Sequence, residues 1–322
     1  YILGRPHLVL FFLIIILSLS VSHISNFKLD ASADTLILED DKDLKIFRET
    51  NEKYKSSDFL ILTITDNEKN IFAEDTLSFI NFLTTEIKKI KNVDSVTSIT
   101  TIPLVTSSKK PLTELINDIP NILSSDIDPN LAMEEILSSP IYRELVISSD
   151  AKTTAMQIII KENSELSDAL KSRSTLLEKY RNDQAYENEY LEAKSRYIKL
   201  SEIEKQKVSL LIEKIRDVQS ENESERYEIR LGGIPMITDD MVTFIKSDLI
   251  NFGLGVLIFI LITLIVIFRK AIWVIAPLAN CLYAVLFMVG LLGYLDWKVT
   301  VISSNFISLM LILTLSMNIH II

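Results

Sequence analysis

Two apolar runs decide the reading of this chain: Leu249–Phe268 (LINFGLGVLIFILITLIVIF) and Ala271–Leu295 (AIWVIAPLANCLYAVLFMVGLLGYL), with only Arg269 and Lys270 between them. A helix needs roughly 20 apolar residues to cross a bilayer core, and each run meets that length. Two residues leave room only for a tight turn, so the runs predict an antiparallel pair of membrane helices. Working outward, Asp296-Trp297-Lys298 makes a second short turn before another apolar stretch, Val299–Ile322. At the other end lies LVLFFLIIILSLSV, Leu8–Val21. Arg5 ahead of it gives this stretch the look of a signal peptide, but SVSHISNF has bulky residues where cleavage requires small ones. It reads as an uncleaved membrane helix.

Charge separates the membrane part from the rest. Of 43 Asp and Glu, all but Asp296 lie between Ile24 and Asp248. Of 33 Lys and Arg, only Arg5, Arg269, Lys270 and Lys298 lie outside that region. The intervening domain is therefore strongly acidic, which suits a solvated exterior and argues against binding nucleic acid or anionic lipid. Arg5 and the basic Arg269-Lys270 turn belong on the cytoplasmic side. That choice puts residues 24–247 outside the cytoplasm, in agreement with the parity of the segments. Tyr294 and Trp297 then sit at the outer interface, where amphipathic rings are favoured. The single Cys281 excludes an intrachain disulfide.

The expected organisation is a first membrane segment in residues 1–23, an outer domain in 24–247, and segments in 248–268, 271–295 and 299–322. Within the outer domain, DFLILTITD (Asp58–Asp66) reads as a strand. Ala73–Ile90 carries Leu77, Ile80, Phe82, Leu83 and Ile87 at helical spacing, and Val93–Val105 reads as a second strand ending near Pro103. Pro111–Arg143 reads as a connecting subdomain. Ala155–Asn163 and Arg226–Gly233 complete the strands. Between these two lies a charged helical insertion, about 164–220. Ser201 with Glu204 forms a capping-box pattern, which predicts a fresh helix start there. Tyr180, Tyr186, Tyr190 and Tyr197 read as packing residues of a helical hairpin. Two strand–helix–strand units predict ferredoxin-like, or split βαβ, architecture, so the fold class is an α+β membrane protein. Gly232, Gly233 and Pro235 mark a strand exit or a hinge ahead of the second membrane segment.

No Walker A loop, H-E-x-x-H, C-x-x-C or G-x-S-x-G occurs. His7, His23 and His320 are far apart in sequence. No catalytic residue, metal ligand or cofactor site is expected. In the last segment, Ser304, Ser308, Ile312, Ser316 and His320 recur every four residues, flanked by Asn305 and Asn318. Polar groups in a bilayer are costly unless paired, so this stripe is expected to turn inward against other helices. It serves either interhelical hydrogen bonding or a substrate or ion path.

Several stretches together resemble the RND (resistance–nodulation–division) superfamily, closest to its MMPL-like, hopanoid-exporter-like branch. SADTLILEDDKDLKIFRETNEKY resembles the segment that follows that family's first helix, and LGGIPMITDDM the segment before its second. FRKAIWVIAPLANCLYAVLFMVGLLGYLDWKVTVISSNF resembles its next three helices. The resemblance implies a plasma-membrane exporter of hydrophobic or amphiphilic substrates such as lipids, driven by protons and built from two repeats. The chain, which starts at Tyr1, is then expected to be the first repeat, cut inside its fourth helix. It lacks the second repeat and has a homo-oligomer as a possible assembly. The family commonly places an Asp shortly before a His in that helix. Here Ser316 and Met317 stand at that position, and the membrane segments hold no Asp or Glu. His320 is left as either a relay or a hydrogen-bonding residue. A related protein-export auxiliary is one rival reading. An ABC-type permease of the MacB kind is another, although Arg269-Lys270 is too short for its usual cytoplasmic connection. Nothing resembles a receptor's signalling module.

Overall fold

The computed structural model of the chain describes residues 6–30, 43, 46, 50, 53, 57–108, 120–300, 303 and 305–321. The segment after the first helix, quoted above for the resemblance, lies almost wholly outside the described residues, as do residues 111–119. In chain order the elements are α1 (Pro6–Val21), β1 (Leu29–Asp30), β2 (Phe59–Asp66), α2 (Glu74–Lys88), β3 (Val93–Thr97), α3 (Pro129–Ser138) and β4 (Thr153–Ile160). Then come α4 (Ser164–Asn182), α5 (Glu187–Asn222), β5 (Tyr227–Gly232), α6 (Ile234–Phe268), α7 (Ala271–Tyr294), β6 (Val299–Thr300) and α8 (Phe306–Ile321). The chain divides into two compact units: Asn51–Ile237, and Tyr1–Thr50 with Thr238–Ile322.

The first unit is built on a four-stranded sheet of order β3-β4-β2-β5, antiparallel throughout. The two strands joined by α2 are separated by β4, and those joined through α4 and α5 are separated by β2. In β2 the alternation is strict. Leu60, Leu62 and Ile64 are buried with Asp66, while Ile61, Thr63 and Thr65 are half-buried on the other face. The buried row meets Leu77, Ile80, Leu83 and Ile87 of α2 and Leu211, Ile212 and Ile215 of α5 in one core. Each fully buried Leu or Ile contributes about 1.5–3 kcal/mol over an exposed one.

β3 stops at Thr97, short of the end near Pro103 expected from sequence. The chain turns there because hydroxyls take over from the ladder. Thr101 Oγ1 accepts from the Ser98 amide at 2.8 Å, and the buried Thr84 hydroxyl donates to Ser98 Oγ at 2.9 Å. The predicted helix start at Ser201 is also overturned. α5 runs unbroken from Glu187 to Asn222, and the break falls at Asp183, whose carboxylate accepts from the Ala185 amide at 2.9 Å. A capping box needs its first residue outside the helix, and the Lys-Leu pair before Ser201 gives the helix no reason to stop. Glu204 instead accepts from Asn163 Nδ2 at 2.6 Å, tying α5 to the start of α4. The hairpin itself forms: Tyr180 and Tyr190 stack at 5.4 Å, and the Arg173 guanidinium lies 5.0 Å from the Tyr197 ring centre.

A charged latch closes one edge of the sheet. Asp66 Oδ1 accepts from the amides of Glu68 and Lys69, each at 2.9 Å. Its Oδ2 accepts from Thr76 Oγ1 at 2.6 Å and from Arg226 Nη2 at 2.9 Å. Arg226 also donates to Asp75 at 2.8 Å. Burial pushes the Asp66 carboxyl up, but Arg226, Thr76 and the two amides outweigh it and hold it well below the usual carboxylate range. Glu135 is treated similarly on α3. Burial raises it, yet it ends lowered because Ser107 Oγ and the amides of residues 105–107 all donate to it.

The second unit holds α1, α6, α7 and α8. Pro6–Asn26, Ile234–Phe268 and Ala271–Tyr294 are long and apolar enough to cross a membrane. The fourth apolar helix spans Phe306–Ile321 rather than beginning at Val299. Val299 and Thr300 instead pair in parallel with Leu29 and Asp30, since β-branched residues after Lys298 suit a short ladder. α6 begins at Ile234, not near 248, and at 35 residues is about 50 Å long. Its apolar part begins only after Asp239, Asp240, Lys246 and Asp248.

Candidate transport site in the membrane helices

Within the membrane unit, α7 packs along α1 and α8. Its contact with α1 depends on two missing side chains. A Cβ on Gly290 would land on the Ser20 carbonyl, and one on Gly293 on the His23 carbonyl. Small residues spaced this way let membrane helices approach backbone to backbone. Tyr283 adds a hydrogen bond to the Leu13 carbonyl at 3.3 Å, and His23 meets Tyr294 edge to face at 5.2 Å. At the same end Lys28 lies 3.4 Å from Asp296.

On its other side α7 meets α8. Val274, Cys281 and Leu311 join Ile260 and Leu264 of α6 in a small buried cluster. Asn280 Nδ2 donates to Asn318 Oδ1 at 2.7 Å across this seam, and the shielded Nδ2 of Asn318 has no hydrogen-bond partner among the described residues. Between α6 and α8 a groove of about 460 Å³ opens, lined by Phe252, Gly255, Phe259, Ile260, Ile312 and Leu315, with Asn251 and Thr263 along it. A Cβ on Gly253 would come within 3.7 Å of Ile307 Cγ2, whereas one on Gly255 would meet nothing among the described residues within 4 Å.

The expected polar stripe of α8 divides. Leu311, Leu315 and Asn318 stand at i, i+4 and i+7 and form the side packed within the unit. Ile312, Ser316 and His320 are exposed, Ser308 is half-buried and Asn305 is exposed. Ser304 lies outside the described residues. So the four-residue recurrence marks a face that no described helix covers, and the inward polar group is Asn318, one of the flanking residues. The physical reason is volume: the seam with α7 is filled by Leu311 and Cys281, and the bulkier apolar side chains win that face. Asn280, its partner, was missed in sequence. A lone Asn inside an apolar run was the signal available for it. Gly232 ends β5, Gly233 follows it with φ +124°, and Pro235 falls in the first turn of α6, where its missing N–H costs nothing.

This arrangement supplies apolar surface, amide hydrogen-bonding groups and an open groove, which suits passage or binding. Residues 200–319 match the model of the MMPL family. The matched stretch runs from within α5 to near the end of α8, and so takes in the Asn280–Asn318 pair and the groove. This supports a membrane transporter of the RND superfamily in general. No curated protein matches the chain.

Proposed function

We propose that the chain is the amino-terminal portion of an RND-superfamily exporter that moves hydrophobic or amphiphilic substrates, such as lipids, out of the plasma membrane. In this reading it belongs with the hopanoid-exporter-like branch. The observation that carries it is the MMPL match over α6–α8 together with the apolar groove between α6 and α8. The Asn51–Ile237 unit lies outside the cytoplasm and acts as the porter domain, its strand order being that of a split βαβ unit. Alternating access needs a second repeat to complete the path, so the remaining helices and the proton-carrying carboxylates belong to that repeat. The exposed face bearing Ser308, Ser316 and His320 turns toward it. Gly233 and Pro235 form the hinge into α6. The protein performs no chemistry on its substrate and uses no cofactor or metal.

The test is export of a fluorescent phospholipid by the full-length protein in proteoliposomes, with and without an imposed pH gradient. Movement that follows the gradient is expected, together with its loss when second-repeat carboxylates are neutralised. Lipid movement unaffected by either change overturns the proton-driven reading. Absence of movement with any amphiphile tested overturns export.

A further inference from the structure

A second cavity, of about 520 Å³, lies where α7 turns into α8. Its lining is divided in kind. Met288 and Leu292 of α7 and Phe306 of α8 give it an apolar wall. Asp296, Trp297 and Lys298 of the turn give it a polar rim. Trp297 is 64% exposed, so its ring face is available at the rim rather than used in the core. Lys28 stands 3.4 Å from Asp296 and brings a second cation to the same edge. Tyr294, 67% exposed, sits one turn back on α7. Exposed Trp and Tyr at the end of an apolar helix are the signature of the membrane–water boundary, so this cavity opens at headgroup depth.

We propose that this cavity binds a zwitterionic amphiphile, one bearing a phosphate and an ammonium group on an alkyl chain. The apolar wall takes the start of the alkyl chain. The lysine side of the rim faces the phosphate, and the Asp296 carboxylate with the Trp297 ring faces the ammonium, where a quaternary cation gains from the indole face. Both signs of charge and the aromatic ring occur within three consecutive residues, which matches the short span between the two charges of such a headgroup. An anionic headgroup with no cation meets the carboxylate unfavourably, and an uncharged one makes no use of the rim. The proposal rests on the membrane placement of α7 and does not depend on transport.

The test uses the full chain in detergent micelles and a single-chain phosphocholine with a diazirine in its tail. Labelled peptides are expected from residues 288–306. Asp296→Asn and Trp297→Ala should each lower labelling at least fivefold. Leu292→Trp, which fills the apolar wall without touching the rim, should do the same and separates occupancy from charge. Retained helix content in each variant, read by circular dichroism, excludes unfolding as the cause. A phosphoglycerol probe of equal chain length should label the site several-fold less. Equal labelling by both probes, labelling that inorganic phosphate abolishes, or labelling unchanged in the three variants overturns the proposal. Because binding is read at equilibrium, its failure leaves the export reading standing, and failed export leaves this site intact.

Discussion

Replacing Asp66 by Ala tests how much of the outer unit depends on one carboxylate. Asp66 is fully inaccessible (0% exposed) and accepts from Thr76 Oγ1, the amides of Glu68 and Lys69, and Arg226. Breaking a buried charged pair by removing one partner costs about 3–5 kcal/mol. The Arg226 side chain is 22% exposed and keeps Asp75, so the low end, about 3 kcal/mol, is expected. Both tryptophans, Trp273 and Trp297, lie in the membrane unit and would not report this change. Amide hydrogen exchange of peptides covering β2 and β5 does report it. At about 1.4 kcal/mol per factor of ten, exchange there should quicken roughly a hundredfold. The pH dependence adds a second arm. Asp66 binds its proton less tightly when folded, so its contribution is present above its ordinary value of 3.8 and lost as pH falls through the lower folded value. The gap in protection between wild type and Asp66→Asn should hold steady from pH 7 to 5 and narrow below about pH 4. Exchange in Asp66→Ala within threefold of wild type, or a gap that widens on acidification, would refute the reasoning.

Other outcomes follow from the geometry. Gly290→Leu drives a side chain into the Ser20 backbone and should lower the melting temperature of the detergent-purified chain, at about 1–3 kcal/mol. Gly255→Ala, at an open position, should leave that temperature unchanged within error. Asn280→Leu removes one interhelical hydrogen bond and is expected to cost about 0.6 kcal/mol. The double change with Asn318→Leu should recover part of that in the same melting assay. Gly233→Ala meets both the positive φ and a Cβ only 2.9 Å from the Phe59 carbonyl. A loss of about 1–3 kcal/mol is expected, seen as faster exchange at the β5 end.

Much of this architecture could be read from residue pattern because burial imposes period. Strand β2 shows its alternation in the letters, and α2 shows Leu77, Ile80 and Leu83 on one side. The membrane helices are legible from length alone. What escaped was set by contacts between distant residues. The end of β3 depends on hydroxyls from α2 and from its own turn. The site of the helix break near 183 was decided by an Asp cap against an equally plausible Ser201 pattern. On α8, a four-residue recurrence named a face but not its neighbour. Only the position of α7 shows that Leu311 and Asn318 face inward, leaving His320 exposed. Asn280 drew no notice because an isolated amide says nothing until a second amide stands 2.7 Å away.

The two-residue ladder between β1 and β6 has a consequence for how the chain is made. Val299 follows Leu29 by 270 residues. At ribosomal speeds of about 5–20 residues per second, roughly 14 to 54 seconds pass between the emergence of the two partners. Throughout that wait α1 has neither its ladder mate nor the Gly290 and Gly293 surface that its Ser20 and His23 carbonyls lie against. Until α7 is made, hydropathy must hold it in lipid with its docking side unsatisfied. The arrival of α7 then acts as a clasp on a helix made long before it.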